Sequence, residues 1–354
     1  MFENQPLLKE ASVLSKLLDS NITSLIEIGG GRNSRIFKFL CDNRITYVGK
    51  FYFYHELDQR DRLTTEFTCL DFLWKNNIRC IPEPIKMNRK EKCAVYQYIE
   101  GRSIKPEKVT ISDTDDIVHF LTKLKELRWV KGSEIHSHAS EACFSVKSIA
   151  RNIKKRLDRL SHVKDESEIY LLLFEFLLEE FVPSFHKIIK WCRTEMNHND
   201  ISWDKDIQKE EITLSPSDYG FHNILLREDN RLIFLDFEYF GWDDPAKMIC
   251  DFLLHPANNL YLNEHLKNRF VSQILVKFKE FKYLSERMKI VYPLYGLKWC
   301  MIFLNEFVPE HLSRRQFSSK QKFDRNDIQL KQLVKARKML NKIMNEYENF
   351  PYRN

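Results

Sequence analysis

The order of apolar patterns along the 354 residues predicts an α+β fold in two lobes, a small β-rich one carrying one key helix and a larger, mainly helical one. Three observations carry that expectation. Short β-type runs crowd the front of the chain and are interrupted by helical spacing; beyond Gly101 the apolar residues recur mostly at helical spacing; the late exception is a hairpin pattern near residues 224–235. The lobes are therefore expected at residues 1–100 and 101–354, with the boundary between Gly101 and Pro106 and a helical insertion over about 139–199.

In chain order, the apolar residues 25–28 end in Gly29, Gly30 and Gly31, a cluster in a chain with only 9 glycines. Without a Cβ, backbone amides in such a turn can approach an anion closely, although a glycine turn between strands is equally a plain hairpin. Residues 47–52 have the composition of a strand and carry Lys50. Residues 62–73 show helical spacing, with Leu63, Phe67, Leu70 and Trp74 on one face and Glu66 among them. An apolar strand from Cys93 then stops at Gly101, with Gln97, Tyr98 and Ile99 at its end.

The segment Ser217-Asp-Tyr-Gly-Phe-His-Asn223 leads into apolar residues 224–226, the polar residues 227–231 and apolar residues 232–235, after which comes Asp236-Phe-Glu238. Two short strands joined by a turn fit this pattern. A turn folded about Asp229 and Asn230 sets residue 223 opposite residue 236, so an amide oxygen faces a carboxylate with Asp218 one short loop away. Oxygen ligands of this kind suit Mg²⁺, which takes few protein carboxylates and completes its shell with phosphates and water. Asp and Asn also shape ordinary turns. Asp236, however, stands in a run of Ile, Phe and Leu, where burial without a partner would cost roughly several kcal/mol.

Ser112 is expected to cap a helix from Asp113 to about Lys125. Helical periodicity returns over 145–160, over 166–195 with a break at Pro183, and over 263–282, 294–307 and 327–347. Lys298, Trp299 and Asn305 interrupt an otherwise apolar helical stretch, either to face a bound molecule or to supply the wet side of an amphipathic helix.

Asp218-x-x-x-x-Asn223 followed by Asp-Phe-Glu after a hairpin resembles the catalytic and metal-binding segments of the protein-kinase-like fold. Asp-Phe-Glu-Tyr in place of Asp-Phe-Gly is closer still to the aminoglycoside phosphotransferase and choline kinase superfamily. The resemblance implies a Mg²⁺-dependent transfer of the γ-phosphate of ATP, or GTP, to a hydroxyl of a small molecule such as a sugar or an aminoglycoside-like compound. It implies that Asp218 orients the acceptor hydroxyl and takes its proton, while Asn223 and Asp236 hold Mg²⁺ against the phosphates. Gly29, Gly30, Gly31 and Ser34 would cover the phosphates, and Lys50 would bind them while paired to Glu66, with Glu56 as the alternative partner. Backbone groups near Gln97, Tyr98 and Ile99 would meet the base. Glu238 is a further metal or substrate ligand or a structural residue, and Lys298, Trp299 and Asn305 are acceptor-pocket candidates.

Pro216-Ser217-Asp218 stands where the family has His-Gly-Asp, and a serine takes a positive φ less easily than glycine. His222 is expected to brace the loop, with contact to the acceptor as the alternative, Asp251 to be the loop's hydrogen-bonding partner, and His255 to end a helix, with contact to substrate as the alternative. A polycationic acceptor would need an acidic pocket, for which Glu179, Glu180, Asp243 and Asp244 are the candidates. Two alternatives share the fold: a nucleotide-binding scaffold without turnover, and a nucleotidyl transferase.

Composition narrows the class. With 43% hydrophobic and 30% charged residues the chain can build cores in both lobes, and no apolar run is long enough to span a bilayer. The beginning of the sequence lacks a basic region followed by an apolar core, so no secretory signal is expected. The 8 cysteines are scattered singly without zinc-binding spacing, which suits reduced thiols in the cytoplasm. The net charge of +6 is spread out, with denser patches at 314–322 and 331–342 that are expected to be exposed helix faces rather than a nucleic-acid surface.

Overall fold

In the computed structural model, which describes residues 5–29, 33–54, 58, 60–163, 165, 167–308 and 324–352, the front of the chain is a five-stranded antiparallel sheet. Helix α1 (Gln5–Leu18) precedes β1 (Ile22–Gly29), β2 (Ser34–Cys41) and β3 (Thr46–Tyr52); α2 (Arg62–Lys75) then leads to β4 (Pro84–Asn88) and β5 (Cys93–Gln97). The strand order is β1-β2-β3-β5-β4. Alternation of side chains gives the sheet two faces. Phe37, Phe39, Cys93 and Val95 pack with Leu14 and Leu17 of α1, whereas Tyr52, Ala94 and Tyr96 face Leu63, Leu70 and Leu73 of α2 and belong to the large core. Helix α1, which the sequence pattern did not single out, lies so close to β3 that a Cβ on Gly49 would come within 2.8 Å of the Leu14 side chain.

Behind the sheet the chain is mainly helical. The short strand β6 (Arg102–Ser103) pairs with β8 (Ile224–Leu226), which pairs with β9 (Leu232–Phe234), while β7 (Thr213–Ser215) pairs with β10 (Gly241–Asp243). The helices are α3 (Ile111–Glu126), α4 (Val146–Ser161), α5 (Glu168–Glu175), α6 (Val182–His198), α7 (Pro245–Leu254), α8 (Asn258–Tyr261), α9 (Glu264–Lys277), α10 (Leu284–Phe303) and α11 (Arg325–Glu346). Helix α10 is apolar nearly all round because α4, α6, α7 and α11 enclose it.

Several boundaries differ from expectation. Thr110, not Ser112, caps α3: its hydroxyl accepts from the Asp113 amide while the Asp113 carboxylate accepts from the Thr110 amide, a reciprocal box. The break near Pro183 is a π-helical turn, Phe176–Phe181, that joins α5 to α6 and places the proline, which has no amide to donate, immediately after the widened turn. Helix α10 begins well before residue 294 and passes through Pro293. All the cysteines are unpaired, and all but Cys80 are buried. No helix among the described residues is long and apolar enough to cross a membrane. The patch at 331–342 lies on α11, where Lys331 pairs with Asp327 and Lys342 with Glu346 one turn away; the patch at 314–322 lies outside the described residues.

Candidate active site

Strand β3 turns Lys50 and Tyr52 to the same face, opposite Ala94 on β5, and α2 brings Glu66 beneath them. The Lys50 ammonium lies 2.7 Å from Glu66 Oε2 and 2.7 Å from Asp236 Oδ1. Tyr52 donates its hydroxyl hydrogen to the same Glu66 oxygen at 2.8 Å, and Glu66 Oε1 accepts from the Phe237 amide at 3.4 Å. Lys50 thus ties the small sheet, its helix and the late hairpin together. Burial opposes charge on Lys50, but Asp236, Glu66 and Glu238 outweigh it and raise its pKa; burial likewise pushes the Glu66 carboxyl up, with Lys50 pulling back. Glu56, the alternative partner, lies outside the described residues, as do Gly30 and Gly31. Gly29 closes β1, and Ser34 is buried opposite Tyr52 at the start of β2.

Asn33, which sequence reasoning missed, stands just before β2 and reaches the segment after β9. Its amide nitrogen donates to Glu238 Oε1 at 2.7 Å and to the Tyr239 hydroxyl at 2.6 Å. Glu238 is 5% exposed, with Arg62 at 3.7 Å and Lys50 at 3.9 Å. Burial, reinforced by Asp236, pushes its carboxyl up to about 7. At the other end of the sheet the Gln97 amide donates to the Glu83 carbonyl at 2.8 Å and is therefore engaged, while Tyr98 and Ile99 follow the last residue of β5. The Lys38 ammonium sits 4.1 Å from the centre of the Tyr98 ring.

The hairpin forms, but its register is shifted by one. Ile224 pairs with Phe234, Leu225 with Ile233 and Leu226 with Leu232, so Asn223 faces Leu235, whose amide donates to the Asn223 carbonyl at 2.9 Å. The cause is the turn: Arg227 and Arg231 close a three-residue loop in which Asn230 takes φ 60°, instead of the two-residue loop that would set 223 against 236. Asp236 stands one step past the paired residue and itself has φ 66°, leaving strand geometry where its carboxylate meets Lys50. The Asn223 amide nitrogen donates to the Asp218 carbonyl at 3.1 Å, which leaves its Oδ1 as the ligand atom. That oxygen and the half-exposed Asp236 carboxylate are hard oxygen donors that suit Mg²⁺.

Asp218 sits in a loop fixed from several sides. Ser217 does adopt the positive φ, 66°, and its hydroxyl donates to the Ser140 carbonyl at 3.1 Å and accepts from Lys247 at 3.2 Å. Lys247 is wholly buried, bonded to Asp243 at 2.6 Å and 3.3 Å from Asp251. Asp251 also accepts from the Trp299 indole at 3.2 Å, so it reaches the loop through Lys247. Gly220 has φ 153° and lies against Asn258, whose Oδ1 accepts from the Phe221 amide at 3.0 Å; a Cβ at 220 would come within 2.1 Å of that oxygen. Asn258 is completely buried and had no signal in the sequence beyond an Asn-Asn pair.

His222 and His255 stack in parallel with centroids 4.3 Å apart and both address Asp218 Oδ1, at 3.2 and 3.5 Å. His255 does end α7, but it is part of the site as well. Burial pushes its imidazole down to about 4, so the ring is neutral near pH 7. Burial alone would raise the Asp218 carboxyl; the His222 hydrogen bond and the neighbouring positive groups more than offset it and hold it below the usual range.

A cavity of about 720 Å³ opens beside Asp218, walled by Asn33, Tyr239 and Ser217 on one side and by α4 and α10 on the other. Lys298, Trp299 and Asn305 all line it; Glu238 is not among the lining residues. Arg60, Lys155, Arg156 and Arg159 add positive charge to the wall. None of the four acids expected to make an acidic pocket is in it: Glu180 pairs with Arg337, Asp243 with Lys247 and Asp244 with Arg287, while Glu179 is exposed elsewhere.

No family model matches the chain, and no curated protein matches it in sequence. Solved structures do match it over nearly its full length. A spectinomycin phosphotransferase bound to ADP and spectinomycin aligns with a TM-score of 0.64 at 11% identity, covering 96% of this chain and 98% of that one. An ethanolamine kinase of Plasmodium vivax gives 0.60 at 13%, covering 95% and 89%, and a choline kinase of Streptococcus pneumoniae 0.59 at 13%, covering 96% and 100%. The chain has the fold of these kinases. The protein-kinase-like architecture expected from Asp-x-x-x-x-Asn and Asp-Phe-Glu is therefore the observed one, with the strand lysine, the helix glutamate and the hairpin aspartate in contact.

Proposed function

We propose that the protein is a Mg²⁺-dependent kinase that transfers the γ-phosphate of ATP, or GTP, to a hydroxyl of a small molecule. The observation that carries this reading is Lys50, held 2.7 Å from both Glu66 and Asp236, in a fold whose Asp218 lines an adjoining cavity. In this reading residues 1–100 bind the nucleotide and residues 101–354 supply the catalytic loop and the acceptor pocket. Lys50 binds phosphate oxygens, its direction set by Glu66. The glycine-rich segment, Gly29 to Ser34, covers the phosphates, and Asn33 within it bonds Glu238 and Tyr239. The backbone near Tyr98 and Ile99 receives the base.

Asn223 Oδ1 and the Asp236 carboxylate would hold Mg²⁺, which would neutralise charge on the transferring phosphoryl group and its leaving oxygens. His222 and His255 address one oxygen of Asp218 and leave the other to the incoming hydroxyl. Asp218 orients that hydroxyl and takes its proton as the oxygen attacks the γ-phosphorus, and the nucleoside diphosphate departs. Positioning and charge account for most of catalysis in such transfers, so a site pinned through Asn258 and Lys247 suits the task.

The test is ADP formation by purified protein with Mg·ATP against panels of sugars, amino alcohols and aminoglycosides, beside Asp218→Asn. Turnover in the wild type that the variant loses supports the reading. Nucleotide-induced thermal stabilisation with no product, and no difference between the two proteins, would instead identify a binding scaffold; transfer of AMP to a target would identify a nucleotidyl transferase.

A further inference from the structure

We propose that the acceptor carries an anion, a carboxylate or a phosphate, beside the hydroxyl that is phosphorylated, and that Lys298 binds this anion; the inference rests on the cavity at Asp218 being the acceptor pocket. The wall has no carboxylate to spare for a cation. Asp58 lies 2.7 Å from Arg60, Glu141 2.8 Å from Arg156 and Asp251 3.3 Å from Lys247, so each wall acid other than Asp218 already faces a cation of the chain.

Lys298 is the converse case. It is 3% exposed, it lines the cavity, and its ammonium meets the Glu141 carbonyl only at 3.5 Å. An ammonium has three donors, and burying them underused is costly unless something arrives to accept them. Burial lowers the Lys298 pKa, with Asp251 only partly opposing, and a docked anion would act on the ammonium in the same sense as Asp251.

Helix α4 points the same way. Asn152, Lys155, Arg156 and Arg159 follow one another at the spacing of a single helix face, and that face lines the cavity. With Arg156 offset by Glu141, Lys155 and Arg159 keep this stripe positive, so a cationic amine would meet it unfavourably, whereas an anion is drawn in by it. Beside Lys298, Trp299 also lines the cavity, its ring perpendicular to that of His255 with centroids 4.8 Å apart, and an indole is the kind of group that packs on the apolar face of a sugar ring. An anionic sugar, a uronic acid or a sugar phosphate, satisfies all three features.

Matched compounds test this: glucose, glucosamine, glucuronate and glucose 6-phosphate, with the corresponding galactose set, given to the full chain with Mg·ATP and assayed for ADP release and for thermal stabilisation. The anionic members should show a KM at least about 10-fold below the neutral ones, and Lys298→Met should raise that KM about 10- to 100-fold without changing the KM for ATP. Arg159→Gln should act in the same direction and less strongly. The uronate and phosphate arms separate the two sources of the anion. Equal KM for neutral and anionic members, a preference for the amine, or an unaffected Lys298→Met overturns the inference while leaving kinase activity in place. If no compound is phosphorylated and Asp218→Asn is indistinguishable from wild type, the kinase reading falls, and thermal stabilisation still decides: anions that stabilise wild type but not Lys298→Met uphold the inference, and equal or absent shifts overturn it.

Discussion

The two ends of the cleft are built in different ways. At the Lys50 end, short ion pairs join three elements: Glu66 from α2, Lys50 from β3 and Asp236 from the segment after β9, all within contact of one buried ammonium. At the Asp218 end the carboxylate stands at the edge of a cavity, addressed by two imidazoles and braced through its backbone by Asn223 and, across Gly220 and Phe221, by Asn258. A group that grips phosphate gains from a rigid, dense setting, since direction and charge are all it supplies. A group that must meet a variable hydroxyl needs open space in front and rigidity only behind. The division predicts that substitutions at the two ends fail differently.

The largest effect is expected at Asp218. Replacement by Asn keeps the shape and the histidine contacts but removes the proton acceptor, and should lower kcat by about 100- to 10,000-fold with little change in nucleotide affinity or melting temperature. A fall in nucleotide affinity instead would break the comparison, because it would make Asp218 part of the phosphate end. Lys50→Met should do the reverse. It leaves Glu66, Asp236 and Glu238 facing one another without their shared cation, so it should cost about 3–5 kcal/mol of stability and weaken nucleotide binding together. Denaturant unfolding with and without Mg·ATP separates the two losses.

At each end some residues were legible in the sequence and others were not. Lys50, Glu66, Asp218, Asn223 and Asp236 are recognisable because each occupies a fixed place in a short pattern: a strand, a helix face, a loop and a hairpin. Their supports are not. Asn33 meets Glu238, and Asn258 meets the Phe221 amide, across separations no local pattern spans. Lys247 looks like one more helix lysine until Asp243, Asp251 and Ser217 surround it. The hairpin register was missed for a local reason, since Asn230 accepts the left-handed conformation at the end of a three-residue loop, a choice that an asparagine there does not announce as a glycine would. Helix α1 has no acidic residue in its first turn to mark a start, and its role becomes evident only where Leu14 presses on Gly49.

A seam of aromatic packing joins α2 to the segment after Glu238, and its pH behaviour sharpens the contrast. His136 lies edge-on to Phe72 of α2 at 5.0 Å and to Phe240, just beyond Glu238, at 5.1 Å, and burial pushes its imidazole down to about 4. The unfolded chain takes up a proton near the ordinary histidine value, about 6.5, while the folded protein resists until about 4. Stability should therefore fall as the pH drops through that window, by about 3 kcal/mol for this residue, and should not depend on it above about 7. His136→Phe should flatten the acid limb of a melting temperature against pH curve. An unchanged limb would show that the seam does not carry the effect.

The smallest net effect is expected at Ser217, where two terms oppose each other. The residue pays for a positive φ of 66° with about 1 kcal/mol of backbone strain. Its hydroxyl offsets that through the Ser140 carbonyl at 3.1 Å and Lys247 at 3.2 Å, contacts of about 1 kcal/mol each. Ser217→Ala keeps the strain and loses both contacts, so it should destabilise by about 2 kcal/mol; Ser217→Gly loses the contacts and relieves the strain, so about half of that should remain. The gap between the two variants in chemical denaturation isolates the backbone term from the hydroxyl term. If the alanine and glycine proteins unfold alike, the loop is not strained at this position, and the serine is simply the residue whose hydroxyl ties Asp218's loop to the buried Lys247, Asp243 and Asp251 cluster.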